Sequence, residues 1–199
     1  MKTFTTKTGL VILMLCLMGT GCKKSNESPT LLEITPESAN TIIQNETKQI
    51  EFKFCILNKD GQSATVFNEG DNFTFSFSFK NNSTDTIIVT TEFINSDFFR
   101  VFSSENNIDL GKPWTGIWCQ FNLAPHIINL PPSYSEKLTC PWILTEDNAP
   151  VYPLCMSESK EPLTKGEYNT SVELDFHYSK NGKVTIINQL KFKINFNVI

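Results

Sequence analysis

Residues 72–80 read NFTFSFSFK. In an extended chain Phe73, Phe75, Phe77 and Phe79 share one side and Thr74, Ser76 and Ser78 the other, because successive side chains of a strand face opposite ways. A strand with one such apolar face has to be covered by a second layer. The rest of the chain supplies that layer in the same period. IEFKFCIL sets Ile50, Phe52, Phe54 and Ile56 against Glu51, Lys53 and Cys55, and NKDG then makes a turn. TIIVTTEF places Ile87, Val89, Thr91 and Phe93 together, and FFRVF is a shorter strand. SYSEKLTCPWIL alternates Tyr134, Leu138, Cys140 and Trp142, with Pro141 pointing to an edge or a bulge.

The C-terminal portion is a hairpin. Tyr168, Val172, Leu174, Phe176 and Tyr178 alternate with Asn169, Glu173, Asp175 and His177. Asn181-Gly182 is the two-residue turn signal. Leu190, Phe192, Ile194, Phe196 and Val198 return on the inner side. No stretch keeps a helical period over ten or more residues. The expected fold is therefore all-β: an immunoglobulin-like antiparallel β-sandwich over 49–199, from about eight short strands. At 199 residues, 16 of them Phe, the chain has material for one such core and not for two.

Two segments interrupt the alternation. Residues 111–132 (GKPWTGIWCQFNLAPHIINLPP) and 145–166 (TEDNAPVYPLCMSESKEPLTKG) exceed the usual connection of about 4–6 residues and are expected as long loops. Trp114, Trp118, Phe121, Pro125 and His126 in the first, with Tyr152 in the second, form the candidate binding surface, since aromatic side chains dominate binding hot spots. The favoured reading of the aromatics in the first segment is nonetheless that they cap the open end of the sandwich.

The start of the chain reads as an export signal. Lys2 and Lys7 precede the apolar run Leu10–Met18, whose nine residues fall short of the roughly 20 that span a bilayer. GTGC at Gly19–Cys22 then resembles the lipobox of bacterial lipoproteins, with Gly19 standing where Leu is usual. The resemblance implies cleavage before Cys22 and a lipid on its thiol. Ordinary signal cleavage is the alternative. Cysteine parity favours the lipid: beyond Cys16 in the signal, a modified Cys22 leaves Cys55, Cys119, Cys140 and Cys155, an even number for an oxidising compartment. Three disulfide connectivities are open. A Cys119–Cys155 bridge would pin both long loops together and leave Cys55 with Cys140, although Cys55 faces away from its Phe row. The expected organisation is a signal peptide over 1–21, the lipidated cysteine and a flexible linker over 22–48, and the sandwich from 49, with LLEIT in the linker left open as a short strand docked on the domain. Removing residues 1–21 leaves 15 basic against 21 acidic residues, a net charge of −6. The expected location is the cell envelope, lipid-anchored in the outer membrane and facing the periplasm or the surface. Lys23-Lys24 does not match the acidic export tags of some surface lipoproteins.

NEGDNFTFSFSFKNNSTDTIIV, LPPSYSEKLTCPW and LTKGEYNTSVEL, within residues 69–198, resemble the intracellular proteinase inhibitor family and related bacterial immunoglobulin-like domains. Leu130-Pro131-Pro132-Ser133 stands at that family's first corner without its Gly, and Leu163–Tyr168 matches the second corner better. The resemblance implies the sandwich fold. It carries no reactive site that these residues match, and the present chain is exported where the family's namesake is not.

Catalytic patterns are few. There is no G-x-S-x-G, no C-x-x-C and no glycine-rich phosphate loop, and the histidines are His126 and His177 alone. His177 is expected as an exposed cross-strand residue beside Asp175. Glu105, Asn106, Asn107 and Asp109 offer oxygens for calcium but lack the EF-hand spacing, so a polar turn is expected. Glu69 and Asp71 are read as the turn before the Phe strand. Arg100 is the single arginine, and the scattered lysines form no basic stripe, which excludes nucleic acid. No metal or cofactor is called for. The expected work is binding or accessory rather than enzymatic, with a membrane held through the lipid and an envelope protein, a protease or a glycan as partner. Proteinase inhibition through 145–166 and glycan binding through the loop aromatics are the alternatives.

Overall fold

The Phe73–Phe79 row closes against a second layer, as its period demands. The computed structural model describes residues 30–94, 97–113, 127–143, 158–159 and 161–199. They form strands β1 (Thr30–Ile34), β2 (Ile42–Thr47), β3 (Ile50–Leu57), β4 (Val66–Phe67), β5 (Thr74–Asn81), β6 (Ile87–Thr90), β7 (Val101–Ser103), β8 (Asp109–Gly111), β9 (Ile127–Leu130), β10 (Ser135–Pro141), β11 (Gly166–Lys180) and β12 (Lys183–Val198). Among the described residues there is no α-helix, only a 3₁₀ turn at Thr91–Phe93.

One sheet runs β10-β5-β3-β2. The other runs β1-β12-β11-β6-β9, with β4 joined to β12, β7 to β11 and β8 to β7. The order β3-β5-β10 facing β6-β11-β12 reproduces the A-B-E and C-F-G pairings of an immunoglobulin-like sandwich. β9 lies beside β6 in the place of C′. Two pairings depart from antiparallel: β1 and β4 each run parallel to β12.

The core is a lattice of phenylalanine. Phe52, Phe54, Phe73, Phe75, Phe77 and Phe79 are all buried. Across the layers, Phe79 meets Phe176 at 5.2 Å, Phe73 meets Phe196 at 5.3 Å and Phe77 meets Phe192 at 6.4 Å. Trp142 stacks on Phe73 at 6.0 Å, and its indole N–H donates to Glu161 O at 3.0 Å, so burial leaves its one polar atom satisfied. β10 is an edge strand and Pro141 is its last residue, where no partner strand asks for an N–H.

Turn chemistry fits at the hairpin. Asn181 and Gly182 have φ of 50° and 76°, the left-handed pair that a type I′ turn needs. At the start of β11 the Tyr168 hydroxyl donates back to Thr164 O at 2.7 Å, which is the tyrosine corner of such sandwiches. A Cβ on Gly166 would stand 3.1 Å from that hydroxyl. Tyr168→Phe removes the bond and keeps the ring, so a stability loss of about 1 kcal/mol is expected in urea unfolding.

Four expectations change. The loop drawn over 111–132 is too long at its end, because Ile127–Leu130 pairs with β6 as β9. The linker drawn over 22–48 is too long: β1 pairs with β12 from Thr30↔Leu190 to Ile34↔Ile194, and β2 pairs with β3, so 30–47 belongs to the sandwich. Tyr134 is not in the β10 row; it sits in the preceding turn and is exposed, because Ser133 at φ 66° turns the chain before the strand begins. Finally β6 ends at Thr90, where the 3₁₀ turn carries Thr91 and Phe93 into the core without strand pairing.

Candidate binding surface

The C–C′ ribbon of the larger sheet is split. β6 and β7 both pair with β11, at Tyr178 and Ser179 and at Tyr168–Thr170, while β9 pairs with β6 and β8 with β7. Each strand position is therefore filled by two short pieces with an excursion between them. The first excursion, after β6, sinks Phe93, Phe98 and Phe99 into the core and ends at Arg100. The second leaves after β8, through Lys112.

Arg100 ties this place together. Its Nη1 donates to Asp109 Oδ2 at 2.5 Å and Glu158 Oε2 at 3.2 Å, and its Nε to Asp97 Oδ1 at 3.3 Å. Buried Lys112 stands 3.8 Å from Glu158 Oε1. The backbone repeats the joint: Lys112 O accepts from Glu158 N at 2.8 Å and from Ser159 N at 3.3 Å. Ser159 Oγ donates to Trp142 O, and Asn72 brackets Ile143 with two bonds of 2.8 and 2.9 Å. Gly111, at φ 91°, makes the approach possible, since a Cβ there would fall 2.8 Å from Glu158 Cβ. The described stems of both long segments, Lys112–Pro113 on one and Ile143 with Glu158 on the other, are thus held at one place.

The charges set a pH dependence. Burial alone would raise the Asp109 carboxyl, but the Arg100 guanidinium and the Gly111 N–H at 2.8 Å outweigh it and hold it below its ordinary 3.8. The same contacts raise Arg100, the bond to Asp109 most of all. A lowered carboxyl adds stability that is complete above its ordinary value and is lost as pH falls through the lowered one. The stability gap between the native chain and Arg100→Met is expected to close below about pH 4 in urea titrations, and a gap constant from neutral to acid pH would contradict it.

Of the residues singled out in the sequence, Cys22, Trp114, Trp118, Cys119, Phe121, Pro125, His126, Tyr152 and Cys155 lie outside the described residues. The joint at their stems was missed. Its signals were the lone arginine after two phenylalanines and a glycine before a lysine, and neither pattern specifies a partner 58 residues away.

Cys55 and Cys140 are free thiols, and the bridge between them is excluded by the fold. Cys140 lies opposite Phe75 and points into the core; Cys55 lies opposite Ser76, which lies opposite Thr139, on the outer face. The two sit on opposite faces, with β5 between their strands, a separation of roughly 10 Å where a disulfide needs Cα atoms within about 7 Å. Burial pushes the Cys140 thiol from 9.0 up to about 12, and burial also raises Cys55. Iodoacetamide is therefore expected to leave Cys140 unmodified in the native chain and to alkylate it in urea, read by peptide mass. Native alkylation would contradict the packing.

The remaining polar candidates have structural partners. His177 Nε2 lies 2.9 Å from Asp175 Oδ1 on the exposed face. Asp71 Oδ2 accepts from Asn68 N and Nδ2 at 3.0 Å, closing the turn before β5, while Glu69 Oε1 accepts from Lys165 N. Asn106 Oδ1 caps Ile108 N, and Asp109 is taken by Arg100. Among the described residues no three His, Cys, Asp or Glu converge as a metal site. An open groove of about 640 Å³ crosses the outer face between Leu31, Phe102, Asn169, Lys191 and Lys193. No family model, no curated protein and no solved structure matches the chain.

Proposed function

We propose that the chain is an envelope lipoprotein, held in the membrane through Cys22, whose immunoglobulin-like sandwich serves as a non-catalytic binding or accessory module. The observation that carries the binding surface is the joint of Lys112 with Glu158 and Ser159. It gathers the stems of two segments that between them hold Trp114, Trp118, Phe121, His126 and Tyr152. Aromatic side chains from two joined segments suit a flat partner surface or a sugar ring.

Two measurements test the halves of the reading separately. The mass of the N-terminal peptide reports the anchor: a thioether lipid on Cys22 supports it, and an unmodified thiol removes it. Glycan arrays and cross-linking to envelope extracts report the surface, with Trp114→Ala/Trp118→Ala expected to abolish the signals of the native chain. Signals that survive the double change overturn the surface assignment.

One feature favours proteinase inhibition as a second reading. The described residues on either side of 144–157 are fixed, Ile143 by Asn72 and Glu158 with Ser159 by Lys112 and Trp142, and inhibitory loops need such fixed ends. Retarded hydrolysis by some member of a protease panel supports that reading. Cleavage within 145–166 at an undiminished rate, for every protease, rejects it.

A further inference from the structure

The end of the sandwich that carries the Asn181–Gly182 turn gathers four connections around Asn81. Its backbone bonds Ser133 and Tyr134, its neighbour Asn82 bonds Gln49, and the Tyr178 hydroxyl donates to Lys48 O at 2.9 Å. Between them lies an open recess of about 370 Å³ lined by Lys48, Gln49, Tyr178, Lys180, Lys183 and Thr185. Three lysines share it and no carboxylate lines it. Asp85 Oδ2 lies 3.7 Å from Lys180 Nζ, and Lys48 Nζ donates to the carbonyl of Ile186 across the recess. On the outer face of the same end of the sheet, Val184, Ile186 and Ile88 are 62, 46 and 43% exposed, and Tyr134, in the turn bonded to Asn81, is 65% exposed. The opposite end has the reverse sign: Asp60, Glu69, Asp71 and Glu167 outnumber Lys59 and Lys165.

The route of the chain points the same way. β1 runs parallel to β12 with Thr30 opposite Leu190, so the chain enters the sheet from the side of the Asn181–Gly182 turn. From Leu190 back to Lys183 is about 23 Å of strand. Residues 22–29 reach at most about 26–29 Å. With a lipid on Cys22 and residues 22–29 extended back along the strand axis, this end would lie within a few ångströms of the headgroups.

We propose that the three-lysine end is a membrane-contact face, with the recess over Lys48, Lys180 and Lys183 taking the phosphate of an anionic phospholipid headgroup. Val184, Ile186 and Tyr134 meet the interface beside it, where amphipathic rings and aliphatic side chains are favoured. The joined stems of the two long segments then stand farther from the bilayer than the lysines do. This inference rests on the lipoprotein reading for its orientation.

The test replaces the native anchor so that the two ideas fail separately. The chain from residue 23, which keeps every described residue, is joined by an N-terminal hexahistidine to vesicles bearing a nickel-chelating lipid. Lysine acylation by a membrane-impermeant reagent is read by mass spectrometry. On vesicles of phosphatidylcholine and phosphatidylglycerol, Lys48, Lys180 and Lys183 are expected to react about fivefold more slowly than in solution, while Lys59 and Lys165 are unchanged. Omitting phosphatidylglycerol or adding high salt should restore their rates. Equal protection of all five lysines, or of Lys59 and Lys165 alone, overturns the proposed face. Equal protection of the three by inorganic phosphate without vesicles overturns it in favour of a small-anion site. The Cys22 peptide mass decides the anchor independently of every one of these outcomes.

Discussion

Phe77→Ala is expected to remove about 3–5 kcal/mol of stability. The ring is fully buried at the centre of β5. Its neighbours come from both layers and from the first excursion: Phe98 at 5.5 Å, Phe52 and Phe93 at 6.1 Å, and Phe79 and Phe192 at 6.4 Å. Those rings are fixed on three different strands and two turns, so they cannot all move inward to fill the space. A cavity remains, and its cost adds to the lost transfer energy of the ring. A typical domain is stable by about 5–15 kcal/mol, so this one substitution is a large fraction of the total. Urea unfolding should show a lower midpoint with an unchanged slope. Phe77→Leu, which keeps most of the volume, should lose much less. Equal losses for Ala and Leu would mean that the ring's edge-to-face contacts, rather than filled volume, hold the centre. A loss under 1 kcal/mol for Ala would contradict the core as described.

The central strands were legible because their side chains carry the information. Phe52, Phe54, Phe73, Phe75, Phe77 and Phe79 alternate with polar residues, and one face is buried on each strand. β1 showed in the sequence only as LLEIT, a short strand left open within the linker, and β2 not at all, for the converse reason. Along Thr30–Ile34 only Ile34 is buried, and along Ile42–Thr47 only Ile43. Both are edge strands, held by backbone pairing that leaves no pattern in the side chains. The turn joining β2 to β3 hid as well. Lys48 and Gln49 both have positive φ, 50° and 66°, in a two-residue loop where Asn-Gly would have announced itself. The bulge in β12 did leave a trace. Ile187 and Leu190 are both buried although they differ in parity, and the register slips between Leu174↔Leu190 and Phe176↔Ile187, with Gln189 at φ 61°. A switch of apolar parity without a glycine is the mark of that slip. The joint at Arg100, Lys112 and Glu158 had no local sign, since ion pairs between distant segments follow from topology and not from period.

Asn81→Ala is expected to cost about 2–4 kcal/mol, although it removes no apolar contact of consequence. The side chain is fully buried and uses all of its hydrogen-bonding capacity. Nδ2 donates to Asp85 O at 2.8 Å and to Leu130 O at 2.9 Å, while Oδ1 accepts from Ser83 N at 2.9 Å and Ser83 Oγ at 2.7 Å. One amide thus closes the β5–β6 turn on itself and ties it to the end of β9. Alanine leaves the Ser83 N–H without this acceptor and the Leu130 carbonyl without this donor, in a place that water does not reach. Asn81→Asp separates the two halves of the role. It keeps the acceptor for Ser83 but sets a carboxylate oxygen against two carbonyls, which raises the carboxyl above the ordinary value of about 3.9. A raised folded-state value gives stability that is whole below the unfolded value and is lost as pH rises. The deficit of N81D against the native chain is therefore expected to be smallest in acid and to grow through pH 4 and beyond, whereas that of Asn81→Ala stays level. If N81D matched the native chain at neutral pH, the two donor bonds would contribute nothing. The hold of Asn81 on the turns beside the three lysines would then rest on its backbone alone.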